Sequence, residues 1–152
     1  NGNVTGFDAD VGALLCAKLD KECVFVVQAF DGLIPALQAN QFDVIISGMS
    51  ITQERKKQIA FSVGYAEFPN RFVVRKDSDL VVISDIPALL TALEGKKIGA
   101  QAATTHANFI AKLIPGADLR TYDTLDQQWI DLSSGRIDAA FADATADQDF
   151  LN

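Results

Sequence analysis

Apolar segments of strand length alternate with amphipathic segments of helix length along almost the whole chain, and this limits the fold more than any other feature. A helix capped by Asp8 carries Val11, Leu14, Leu15 and Leu19 on one face. A strand over 22–27, a helix over 31–38, a strand over 44–47 and a helix over 52–59 follow, then an extended run over 71–75. The polar break Lys76-Asp77-Ser78-Asp79 is the candidate crossover between two lobes, 1–75 and 76–152. Beyond it the pattern predicts a helix over 86–93 ending at Gly95, strand 97–101, helix 105–114, strand 118–122, helix 125–133 and strand 137–142. Strands separated by helical crossovers pair in parallel, so the reading is α/β. Leu37 to Asp43 also aligns without gaps on Leu132 to Asp138, a hint of two similar lobes. Helix-turn-strand joints reuse the same residue types, so the hint is faint.

Composition excludes several classes. The 152 residues are 49% hydrophobic and 22% charged, as a globular chain requires. A net charge of -7 argues against nucleic acid and against an anionic membrane surface. No apolar run approaches the ~20 residues that span a bilayer. No signal peptide is recognisable, and the chain opens in mid-pattern at Asn1-Gly2-Asn3, as though a segment preceded it. The single histidine, His106, sits at a helix start, where a solvated or capping role is expected. No Ser-His-Asp set, metal-ligand spacing or P-loop is visible, and two cysteines alone cannot complete a zinc site. Neither a cofactor nor a metal is expected.

The chemistry concentrates between Phe42 and Ser62. A short strand breaks at Ser47–Gly48 and hands over to a helix with Thr52 as N-cap and Arg55 one turn in. Unpaired first-turn amides near Ser50 and the fork of Arg55 suit a carboxylate. The plain alternative is a well-capped, solvated surface helix. Parallel sheets place ligands at the carboxyl ends of their strands, here Ser47–Gly48, Gln101–Thr105 and Ala142–Asp143. Thr104 and Thr105 precede an amphipathic helix (Phe109, Ile110, Leu113) and offer a second set of N-terminal donors. Asp143 ends an apolar strand, where a carboxylate either caps a helix over 144–150 or meets a cation. An α-amino acid needs both charges answered.

Ser47-Gly48-Met49-Ser50-Ile51-Thr52, Arg55, Ile59-Ala60-Phe61-Ser62 and Tyr65 closely resemble the extracytoplasmic solute-binding proteins for polar amino acids, the ligand-capture components of ABC importers. Gly6-Phe7-Asp8-Ala9-Asp10 and Leu93-Glu94-Gly95-Lys96-Lys97-Ile98-Gly99 are similar to further landmarks of that family, in the same order. The resemblance implies a two-lobe periplasmic-binding-protein clamshell (type II) with parallel-sheet lobes, truncated at both ends. Lobe 1 would lack its first strand, and lobe 2 would end before the return crossover.

It further implies that Asp143 takes the ligand ammonium and that Phe30 packs on the ligand side chain, although Phe30 is equally well an ordinary core residue. Ser47 and Gly48 would line the pocket. Gln101 would tune specificity or else face solvent. Cys16 and Cys23, where the family often carries a disulfide, would form one; so short a loop stabilises by roughly 2–3 kcal/mol and fits an oxidising, periplasmic or extracytoplasmic compartment. Two departures stand out. Ala103 replaces the family's glycine, which matters if that loop needs positive φ. The segment Val81–Leu93 is longer than usual. The expected function is reversible binding of a polar amino acid or opine by a monomer that delivers it to a membrane ABC permease, and the acidic chain leans toward a basic ligand. The alternatives are a sensing domain of a receptor or histidine kinase, or a dehydratase on the same fold.

Overall fold

A computed structural model describes residues 4–151, the side chain of Asp149 excepted. The Asn1-Gly2-Asn3 opening lies outside the described residues. The chain divides into two compact units, Asn1–Ala66 and Glu67–Asn152. The expected boundary after Arg75 therefore falls too late. The reason is hydrogen bonding: Asn70–Val74 is a strand of the second unit's sheet.

In the first unit, α1 (Phe7–Lys18) is followed by a 3-10 turn at Phe30–Gly32, α2 (Leu33–Gln38) and α3 (Gln53–Lys56). Asp8 lies in the first turn of α1, not at its cap, which is Gly6 at φ 114. A carboxylate there still favours the helix by facing its positive end. The inward face of α1 is also not the expected one. Gly12 is buried, and a Cβ there would meet the Phe25 ring at 2.9 Å and Ile46 Cδ1 at 3.4 Å, while Leu14, Leu15 and Leu19 are exposed. Close approach at Gly12 and the Cys16–Cys23 disulfide one turn on, with Cα atoms 6.0 Å apart, turn that side toward the rest of the unit. The segments 22–27 and 44–47 carry strand composition but form no ladder. Among the described residues of this unit there is no strand, because a strand requires a bonded neighbour and not composition alone.

The second unit is a three-layer α/β arrangement. Its sheet has the order β1 (Asn70–Val74), β4 (Ala139–Asp143), β2 (Lys97–Gln101), β3 (Asp118–Tyr122). Helices α4 (Ile86–Ala92), α5 (Thr105–Leu113), α6 (Leu125–Ser133) and α7 (Ala144–Leu151) accompany it. β2 runs parallel to both its neighbours, whereas β1 is antiparallel to β4, with Asn70 opposite Asp143. The expected parallel sheet thus has one antiparallel edge. A helical crossover dictates direction only for the strands it joins, and β1 pairs with the last strand of the chain.

Alternation along β4 feeds two cores. Ala139 and Phe141 join Ile98, Ile110, Ile114 and Leu93 on one face, while Ala140 and Ala142 join Trp129, Leu132 and Ile137 on the other. Gly99 keeps α6 close to the sheet, since a Cβ there would lie 2.5 Å from Ile137 Cδ1 and 3.1 Å from Gln128 Cγ.

Candidate functional site

From β2 the chain moves through α5 to β3 on one side, then through α6 to β4 on the other. That reversal makes the carboxyl ends of β2 and β4 a topological switch point, where open α/β sheets take their ligands. Gln101 ends β2 and Asp143 ends β4. Because β1 is antiparallel, its first residue, Asn70, arrives at the same end.

Thr104 is the N-cap of α5: its buried Oγ1 accepts from Ala107 N at 3.2 Å and donates to Gln101 O at 2.6 Å. Its hydroxyl therefore shapes the loop, and Thr105 is the first residue of the helix. Ala103 takes φ 59, so the position does need the left-handed conformation that glycine adopts more readily. Gln101 Nε2 donates to Asp123 O at 3.0 Å, which ties it to the end of β3.

Asp143 is one-third exposed, with Oδ1 3.4 Å from His106 Nε2. The same nitrogen lies 2.9 Å from Asn70 Oδ1. His106 is buried in the first turn of α5 and is not the cap, contrary to the solvated or capping role expected of it. The cap is the threonine two residues earlier, which leaves the ring free to turn inward onto Phe141, edge to face.

In the first unit, Thr52 caps α3 as expected, its Oγ1 accepting from Arg55 N at 3.2 Å. α3 is only four residues long, so little dipole accumulates and its amides add little to an anion site. The weight falls on the Arg55 side chain. Its NH1 donates to Ser50 O at 2.8 Å, and its guanidinium carbon stands 5.5 Å from the centroid of the Phe30 ring. Phe30 thus lies against the cation as well as in the turn that starts α2. Burial lowers the Arg55 pKa from its ordinary value, the mark of a cation removed from water.

Gly48 adopts the left-handed region at φ 55. The N–H is directed at Tyr65 Oη, 3.2 Å away, and Tyr65 donates to Asp8 Oδ1 at 2.9 Å. Burial first, then the Asp8 carboxylate, raises the Tyr65 pKa. Ser47 and Ser50 are exposed on either side of this braced loop. Asp8 and Tyr65 stand inside the recognised motifs, but only the folded unit joins residues this distant in sequence. Among the described residues no group of histidine, cysteine and acidic side chains could hold a metal ion.

The family model for bacterial extracellular solute-binding proteins, family 3, matches residues 1–131. Over 151 residues the chain is 37% identical to ABC transporter arginine-binding protein 1 of Escherichia coli (strain K12), covering 99% of this chain and 59% of that relative. It is 36% identical to the octopine-binding periplasmic protein of Rhizobium meliloti, over 95% of this chain and 55% of that one. Among solved structures, an ancestral arginine-binding protein bound to arginine superposes with a TM-score of 0.91 at 37% identity, over 99% of this chain and 65% of that chain. The ancestral amino acid-binding protein AncCDT-1, a precursor of cyclohexadienyl dehydratase, superposes with a TM-score of 0.89 at 32% identity, over 99% of this chain and 66% of that chain. The chain thus spans little more than half the length of the curated relatives it matches.

Proposed function

We propose, since the chain belongs to the bacterial extracellular solute-binding proteins of family 3, that it binds a basic amino acid or an opine reversibly and delivers it to a membrane ABC permease. Arg55, seated on Phe30 and fixed by the Ser50 carbonyl, carries the reading: a desolvated, oriented guanidinium is a partner for a carboxylate. Asp143, at the switch point of the second unit, supplies the opposite charge for the ligand ammonium. Ser47, Gly48 and Ser50 line the carboxylate end, and Gln101, Thr104 and Thr105 form the loop beside Asp143. The arginine- and octopine-binding relatives support a guanidinium-bearing ligand. The protein acts as an extracytoplasmic monomer and not as an enzyme; even the neighbour linked to a dehydratase is itself an amino acid-binding protein.

The test is calorimetry on the full chain, refolded to remove carried-over ligand, against the twenty amino acids, ornithine, octopine and nopaline. One basic class binds tightly, and Arg55→Ala weakens it by about 3 kcal/mol. Silence across the panel from folded protein, or near-parental affinity in the variant, sinks the proposal.

A further inference from the structure

We infer that His106 is a positioning residue for Asp143 and makes ligand binding proton-linked, with a proton on His106 and the ligand ammonium competing for one carboxylate. This rests on the reading that Asp143 receives the ammonium. His106 is 8% exposed, and its Nε2 lies 2.9 Å from Asn70 Oδ1 and 3.4 Å from Asp143 Oδ1. Both neighbours are acceptors, so the neutral ring carries its proton on Nε2 and donates it to Asn70. The pairing of Asn70 with Asp143 across β1 and β4 holds both acceptors at one end of the sheet.

Other charged groups surround this trio. Asp147 of α7 is 2% exposed, with no hydrogen-bond partner for its carboxylate among the described residues. Burial pushes its pKa up to about 6, opposed by His106 and by Arg71 of β1 and reinforced by Asp143.

A second proton on the ring turns the His106–Asp143 contact into an ion pair. An arriving ammonium then meets a carboxylate already compensated, with a cation beside it. Proton and ligand therefore weaken each other's binding reciprocally. The sign follows: affinity is highest with the ring neutral and declines as falling pH adds the second proton beside Asp143.

The experiment titrates the full chain with L-arginine between about pH 8 and pH 5, in two buffers of different ionisation enthalpy. The parent loses about tenfold in affinity across the range and releases protons on binding. His106→Gln, which keeps an amide donor near Asn70, removes both effects; His106→Asn is the second uncharged replacement should the first fold poorly. Asp147→Asn keeps both. An unchanged pH profile in the His106 variants, or a profile abolished by Asp147→Asn, overturns the inference while leaving the proposed function standing. Asp143→Asn weakens arginine far more than its des-amino analogue, 5-guanidinopentanoate. Equal losses for the two remove Asp143 from the ammonium site and the inference with it. A parent that binds no arginine at any pH overturns both.

Discussion

The second unit builds a hydrogen-bonded four-stranded sheet and buries Leu93, Ile98 and Ile110 completely, whereas the first leaves Val24 85% and Val27 82% exposed on a segment of similar strand-forming composition. Composition is therefore not what separates them. In 67–152 each apolar strand finds a bonded neighbour and a helix on each face, so alternation is converted into two cores. In 4–66 the extended segments find no bonded neighbour. Local devices organise that unit instead: the Thr52 cap, the Cys16–Cys23 cross-link, and the Asp8–Tyr65–Gly48 brace. One unit is held by burial and the other by ties.

The largest expected effect tests the burial side. Leu93→Ala should lower the stability of the second unit by about 3 kcal/mol, through lost transfer energy and a residual cavity. Denaturant melts followed by the fluorescence of Trp129 would show it, and a loss below 1 kcal/mol would break the claim that packing holds this unit.

Reduction of Cys16–Cys23 tests the other side. The chain-entropy model gives about 2.5 kcal/mol for so short a loop, all of it in the first unit. Amide exchange should quicken across 4–66 and stay unchanged across 67–151; a uniform change would erase the distinction.

A smaller effect depends on pH. The folded pKa of Asp147 lies above the ordinary aspartate value of 3.8, at about 6, because burial disfavours the carboxylate, so the folded state binds more protons between these values. Its contribution to stability is therefore present below about pH 4 and lost as pH rises through about 6. Asp147→Asn should flatten that part of the stability profile of the second unit. A decline that survives the substitution would assign it to another group.

The smallest effect is expected at Val24, where Val24→Thr should change stability by less than about 0.5 kcal/mol, because the side chain is already in water. A loss of several times that, by the same melts, would mean that the segment is buried in solution and that the contrast between the units is smaller than described.

Elements defined by local chemistry were legible in the sequence. The cap at Thr52, the strands 97–101 and 118–122, and the helix 125–133 fall where periodicity and capping residues place them. So did the family, because its motifs are contiguous runs that need no fold to be read. Long-range pairing decided the rest. The antiparallel edge β1, the division after Ala66 and the inward face of α1 depend on which distant segment each residue meets. The meeting of Asn70, His106 and Asp143 is of the same kind, since the three come from a strand, a helix and another strand far apart in the chain. A residue's type and spacing determine which local structure it can support. Only the packed sheet determines which polar groups share a low-dielectric site, because desolvation and hydrogen bonding act between neighbours in space and not in sequence.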